Sequence, residues 1–178
     1  GSNSPTRKYR PMPKTGSSWN LTYALNGLRL ASCRYRHLCK TRPPWQHHRV
    51  TYRQYHERCT HLASGLVKLG VQSGDVVATI LPNIPAHTEA HFGVPACGAI
   101  LNAINTRLDV NTVSYIFDHG GAKVALVDTQ FIELAEAAIA QNGGTGPTLI
   151  EVPDTAAGFP ATGRHTTYDA LLADGDAD

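Results

Sequence analysis

Two histidines four residues apart, a single arginine behind a short apolar run, and two cysteines ahead of two adjacent histidines are the parts of this sequence whose types and spacing could do chemistry. His87 and His91 stand at i and i+4, so on a helix they share a face, the spacing of a two-histidine metal site. Glu89 lies roughly 200° around such a helix from His87, so the adjacent glutamate of a helical zinc-protease motif is not present. The plainer reading is a packed helix that uses both imidazoles as semi-polar filler. Cys33 and Cys39, with His47 and His48 behind them, are separated by five residues and match no zinc-ligand pattern.

Arg107 is the only Lys or Arg between Lys68 and Lys123, and it closes the polar turn Asn105-Thr106-Arg107 after the run Ala99 to Ile104. Loops at the carboxyl ends of parallel strands are where α/β proteins bind ligands, which makes Asn105 and Arg107 the candidate ligand contacts. The competing reading has Arg107, with Asp109 close by, bracing loops or a domain interface. Gly120-Gly121 and Gly143 to Gly146 fit neither a dinucleotide fingerprint nor a Walker loop and read as helix stops.

The elements that must position these residues follow from the hydrophobic period, which switches repeatedly between two and 3.6 from Val50 onward. Tyr55, Cys59, Leu62, Leu66 and Leu69 line one face of a first helix, with Thr51 and Gln54 as a capping box and Gly70 as a left-handed stop. A strand through Val76 to Leu81 leads past Pro85 into a second helix whose last turn Pro95 disturbs. After the short strand at Ala99 to Ile104, Asp109 caps a third helix presenting Val110, Val113, Ile116 and Phe117. Lys123 to Asp128 is a strand, Gln130 to Gln141 a helix, and Thr148 to Val152 a further strand. Strands separated by helices predict an α/β fold, a mainly parallel sheet with helices on both faces. Beyond Pro153 the composition turns to Ala, Gly, Asp and Thr, so residues 153–178 read as linker and acidic tail, with one short helix in Tyr168 to Gly175.

With 178 residues, 42% hydrophobic and 17% charged, the chain can bury a core and disorder is not its default. Its longest apolar run, Val76 to Leu81, falls far short of the roughly 20 residues of a membrane helix. The opening Gly-Ser-Asn-Ser-Pro has no apolar signal core, so a cytoplasmic setting with four thiols is expected. The net charge of +2 conceals a divide: residues 1 to 49 hold ten Lys or Arg and no acid, the remainder six basic and fourteen acidic residues. That first segment, with Trp19, Tyr35 and Trp45, has the footprint of a nucleic-acid or anionic-membrane arm.

The stretches VTYRQYHERCTHLASGLVKLGVQSGDVV, LPNIPAHTEAHFGVPACGAILNAINTRLD and HGGAKVALVD, taken in order, resemble the early part of AMP-forming acyl-CoA synthetases, the acyl-activating, adenylate-forming enzymes. The resemblance runs from about Arg49 to Gly175 and is nearest the fatty-acyl and medium-chain enzymes. It implies ATP, Mg²⁺ and coenzyme A as cofactors of a parent enzyme, a carboxylic acid as substrate, and an acyl-adenylate followed by a thioester. Positioning and charge stabilisation in such a reaction require a phosphate-cradling loop, cations and metal ligands. The resemblance places that loop beyond Asp178, and it carries no catalytic or metal residue onto this chain.

The expectation is therefore an N-terminal fragment, inactive alone, with a basic arm at residues 1–48, a partial α/β subdomain at 49–152 and the tail at 153–178. The arm also reads as an out-of-frame segment rejoining the family near residue 48, because LRLASCRYRHLCKTRPPWQ stands where similar enzymes carry a Leu-rich segment and an Arg-Ala-Ala helix. A partial sheet with an open edge implies self-association. The alternatives are a free-standing α/β nucleotide-binding or regulatory module and a nucleic-acid-binding protein acting through the arm.

Overall fold

The computed structural model describes residues 34–38 and 47–176. Most of the basic arm, with Trp19, Trp45, Cys33 and Cys39, lies outside the described residues, as does the end of the acidic tail. Strands β1 (Arg34–Leu38) and β2 (His47–Thr51) form an antiparallel pair with Arg34 opposite Thr51.

Thr51 ends β2 and caps α1 (Tyr52–Lys68). Its hydroxyl accepts from the Gln54 amide at 3.2 Å while the Gln54 side chain accepts from the Thr51 amide at 2.9 Å, the reciprocal bonds expected of the Thr-x-x-Gln pattern. Tyr55, Cys59, Leu62 and Leu66 are buried as the stripe predicts. Leu69, the fifth member, is not: it is 41% exposed. The helix ends one residue earlier, Gly70 turns at φ 87°, and Val71 bonds back to the Leu66 carbonyl at 3.0 Å. This left-handed stop sends Val71 into the core in place of Leu69.

Five strands make the main sheet: β3 (Val76–Ile80), β4 (Ile100–Ala103), β5 (Ala122–Asp128), β6 (Thr148–Val152) and β7 (Thr166–Thr167). All pair in parallel in the order β4-β3-β5-β6-β7. The helices between them are α2 (Pro85–Ala96), α3 (Val110–His119) and α4 (Ile132–Gln141), and α5 (Tyr168–Asp174) follows β7. Alternation along β5 divides the core: Val124 and Leu126 pack with Leu62 and Leu66 of α1, Ala90 and Val94 of α2 and Leu171 of α5. Ala125 and Val127 pack with Val113 and Phe117 of α3 and Ala135 and Ala138 of α4. The α/β fold with helices on both faces is thus the one expected from the sequence.

Of residues 153–178, read from the sequence as linker and acidic tail with one short helix, 153–176 are described and are tied to the rest of the fold. Glu151 binds Thr162 twice, at 2.8 and 3.1 Å, Glu136 takes Arg164 at 2.6 Å and His165 at 2.8 Å, and Tyr168, Leu171 and Leu172 are buried. The polar composition concealed this because the segment is anchored through hydrogen bonds and a single short helix, not through a long apolar period. β7, only two residues long, gave no periodic signal at all. Among the described residues no helix is long and apolar enough to cross a membrane.

Two glycines set the layer of helices over the first face. A Cβ on Gly93 would stand 2.7 Å from Leu62 Cδ2, and one on Gly65 would stand 2.6 Å from the Leu171 carbonyl oxygen. Backbone cannot yield as a side chain can, so Gly65→Ala is expected to destabilise by about 1–3 kcal/mol through overpacking, against the gain of up to about 1 kcal/mol that helix propensity alone gives. Chemical denaturation of the two proteins decides; equal or greater stability of the alanine variant refutes the close α1–α5 contact.

Candidate functional site

The strand order is that of a doubly wound sheet in which the chain leaves β3 for one side and returns to the other, so a switch point lies between β3 and β5. Polar residues collect at the carboxyl edge. Asp128 ends β5, fully buried, and its Oδ1 accepts from the Gln130 amide at 3.0 Å. Glu151, also fully buried, stands near the end of β6 and takes Thr129 Oγ1 at 3.1 Å as well as Thr162. Sequence reasoning passed over Glu151; the signal was a carboxylate inside the otherwise apolar strand TLIEV.

Asn105 and Arg107 follow β4 at the same edge, and both are exposed. The Asn105 carboxamide oxygen accepts from the Arg107 amide at 3.0 Å, so this side chain shapes the turn. Asp109 is turned away to cap α3, accepting from the Thr112 amide at 2.9 Å. The Arg107 side chain has no hydrogen-bond or ion-pair partner among the described residues and braces none of them.

His87 and His91 do share a face of α2, with ring centroids 4.9 Å apart. His91 Nδ1, however, is 2.8 Å from the His87 carbonyl and is spent on its own helix. Among the described residues no group of three or more His, Cys, Asp or Glu could hold a metal ion. Burial, reinforced by His91, holds His87 below its ordinary 6.5. His47 and His48 lie in β2, paired opposite Leu38 and His37.

Glu89, set aside as a metal-site residue, is the centre of a buried polar cluster. It is 3% exposed; Oε1 accepts from Arg58 Nε at 2.6 Å and Oε2 from the Tyr168 hydroxyl at 2.8 Å. Arg58 also lies 6.0 Å from the centre of the Tyr168 ring. Burial lowers the Arg58 pKa, but the hydrogen bond and charge of Glu89 outweigh it and the net direction is upward. Burial and the same carboxylate raise Tyr168 well above its ordinary range and push the Cys59 thiol up to about 12. Cys59 therefore stays protonated and is no nucleophile. The cluster ties α1, α2 and α5 together and offers nothing to a reactant.

A model of the AMP-binding enzyme family matches residues 34–169. The chain belongs to the AMP-binding enzyme family. The match begins at Arg34 and so takes in β1 and β2. Among AMP-binding relatives, the peroxisomal acetate/butyrate–CoA ligase AAE7 of Arabidopsis thaliana is 39% identical over 137 residues, covering 71% of this chain and 24% of that protein. Trans-cinnamate:CoA ligase of Petunia hybrida is 45% identical over 91 residues, covering 51% of this chain and 16% of that protein. The crystal structure of the anthranilate CoA ligase AuaEII with anthranoyl-AMP superposes with a TM-score of 0.69 at 20% identity, over 89% of this chain and 28% of that one, and shows the shared fold. The chain spans a quarter or less of the length of the Arabidopsis and Petunia relatives and 28% of the AuaEII chain.

Two measurements check the electrostatics of this AMP-binding scaffold. Tyr168→Phe removes a hydrogen bond to a buried carboxylate and is expected to cost about 1.5–3 kcal/mol in urea unfolding; an unchanged midpoint would show the bond to be idle. His87 binds a proton less readily folded than unfolded, so its contribution is present above the ordinary 6.5 and is lost as pH falls from there through the depressed folded value. The melting temperature should drop between about pH 7.5 and 5.5, and His87→Gln should flatten part of that drop; parallel profiles for both proteins refute it.

Proposed function

We propose that this chain is the scaffold of the early part of an ATP-dependent ligase joining a carboxylic acid to coenzyme A. The observation that carries the reading is the continuous match of residues 34–169 to AMP-binding enzymes together with relatives named as CoA ligases. In the complete enzyme the carboxylate would attack the α-phosphate of ATP, with Mg²⁺ offsetting phosphate charge, to give an acyl-adenylate and pyrophosphate, and the thiol of coenzyme A would then displace AMP to give the thioester. This chain contributes the sheet, its polar carboxyl edge and the packed helices that hold that edge rigid.

The acid is proposed to be a small carboxylate. The relatives are named for acetate, butyrate and trans-cinnamate, which supports a short or aromatic acid over the fatty acyl chain expected from the resemblance. A peroxisomal location, as in the name of the Arabidopsis relative, is the alternative to the cytoplasm.

The 178 residues alone are proposed to be inactive, because their sequence holds no phosphate-cradling loop and such a reaction rests on one. They are also proposed to self-associate, since β4 and the two-residue β7 are the outer strands of the described sheet. The test uses two proteins with ATP, magnesium, coenzyme A and acids from acetate to palmitate. The polypeptide of the whole reading frame should release AMP and form a thioester, fastest with acids of up to about ten carbons. The 178-residue chain should release none and elute above monomer mass. An inactive whole protein sinks the ligase reading; turnover by the short chain, or a monomer with a sharp melt, sinks the scaffold reading.

A further inference from the structure

Asn26-Gly27 and Asn142-Gly143 are the two Asn-Gly pairs of the sequence, and the second lies among the described residues, at the end of α4. An asparagine before glycine is chemically labile, because glycine has no side chain to keep its backbone nitrogen from the preceding carboxamide carbon. That nitrogen gives up its proton and attacks Cγ, a five-membered succinimide closes, and the Cγ–Nδ2 bond breaks with loss of ammonia. Water then opens the ring at either carbonyl, leaving aspartate or isoaspartate.

Nothing crowds the attacking residue: a Cβ on Gly143 would meet no atom within 4 Å, and residues 143–146 are exposed. The restraint comes from α3. Ser114 Oγ donates to Asn142 Oδ1 at 2.6 Å and Asn142 Nδ2 donates to the Ser114 carbonyl at 2.9 Å, so one residue holds both polar atoms of the carboxamide. The Gly143 amide is engaged as well, donating to the Ala140 carbonyl at 3.1 Å. Ring closure requires the face of the carboxamide to turn toward that nitrogen at close approach, which the two bonds to Ser114 oppose.

We propose that Asn142 is a latent site of spontaneous deamidation, and that Ser114 holds it unreacted in the folded protein. The product works against the joint that guarded it. A new carboxylate would face the Ser114 carbonyl at the carboxyl end of α4, whose last turn has no basic residue, and negative charge is unfavourable there. Isoaspartate also lengthens the backbone by one carbon. Conversion therefore loosens α4 from α3, and its extent records how often that layer has opened. The inference is independent of the ligase reading.

The test incubates the polypeptide of the whole reading frame at mildly alkaline pH, with peptide mapping and enzymatic methylation of isoaspartate over time. Folded wild type should convert Asn142 at least about tenfold more slowly than the urea-unfolded protein, where Asn26 serves as the unprotected reference. Ser114→Ala should speed conversion in the folded protein at least about threefold and leave the rate in urea unchanged. Gly65→Ala, which weakens the other face of the sheet, should not speed it, and Asn142→Asp should lower the melting temperature. No conversion at Asn142 in urea removes the site. Equal rates folded and unfolded, or a Ser114→Ala rate equal to wild type, remove the guard. A rise in Gly65→Ala matching that in Ser114→Ala overturns it too, by assigning protection to global stability. An unchanged melting temperature for Asn142→Asp overturns the loosening.

Discussion

The helical layer over one face of the sheet depends on a single carboxylate. Glu89 is buried, and an isolated buried charge costs several kcal/mol in lost hydration, so it persists only with partners on both oxygens. Arg58 and Tyr168 provide them from two other helices, at 2.6 and 2.8 Å. The result is a joint with one geometry: α1, α2 and α5 must meet at Glu89 or leave a charge stranded. Gly65 and Gly93, where added Cβ atoms would collide with the facing helices, show how closely those helices approach once the joint is made.

That joint explains why residues far apart in the chain behave as one layer. α5 follows a loop with little apolar content, yet Tyr168, Leu171 and Leu172 are buried against α1 and the sheet. The exit from α5 is held as well: His61 Nδ1 lies 2.8 Å from the Gly175 carbonyl, Ser64 accepts from the Asp176 amide at 2.9 Å, and Lys68 donates to the Asp174 carbonyl. The opposite face needs no such device, because α3 and α4 lie over it with Val113, Phe117, Ile132, Ala135 and Ala138 in an apolar core. Polar cross-ties join them as well: Ser114 donates to Asn142 Oδ1 at 2.6 Å and Gln141 donates to Asn111 at 2.9 Å.

Chemically, the scaffold keeps its reactive-looking groups quiet. Cys59 is held protonated, Tyr168 is held neutral, and the histidine pair is partly consumed by its own helix. At the carboxyl edge, buried Asp128 and Glu151 organise the loops and Arg107 is exposed.

Local chemistry was enough for the sequence to determine the elements: the Thr51–Gln54 capping box, the Gly70 stop, the Asp109 cap and the apolar strands each act over a few residues, and each appears where its residues stand. It also determined the family, because order and spacing of whole segments survive where single motifs are silent. The tertiary structure alone decided the partners of Glu89 and Glu151. Glu89 and Tyr168 are 79 residues apart in sequence, and no local pattern encodes which distant hydroxyl will reach a buried carboxylate. Leu69 makes the same point from the other side: its place on the helical stripe was legible, but whether the core had room for it depended on where Gly70 turned the chain. Periodicity reports a preference for burial; only the assembled layers fix what each buried group meets.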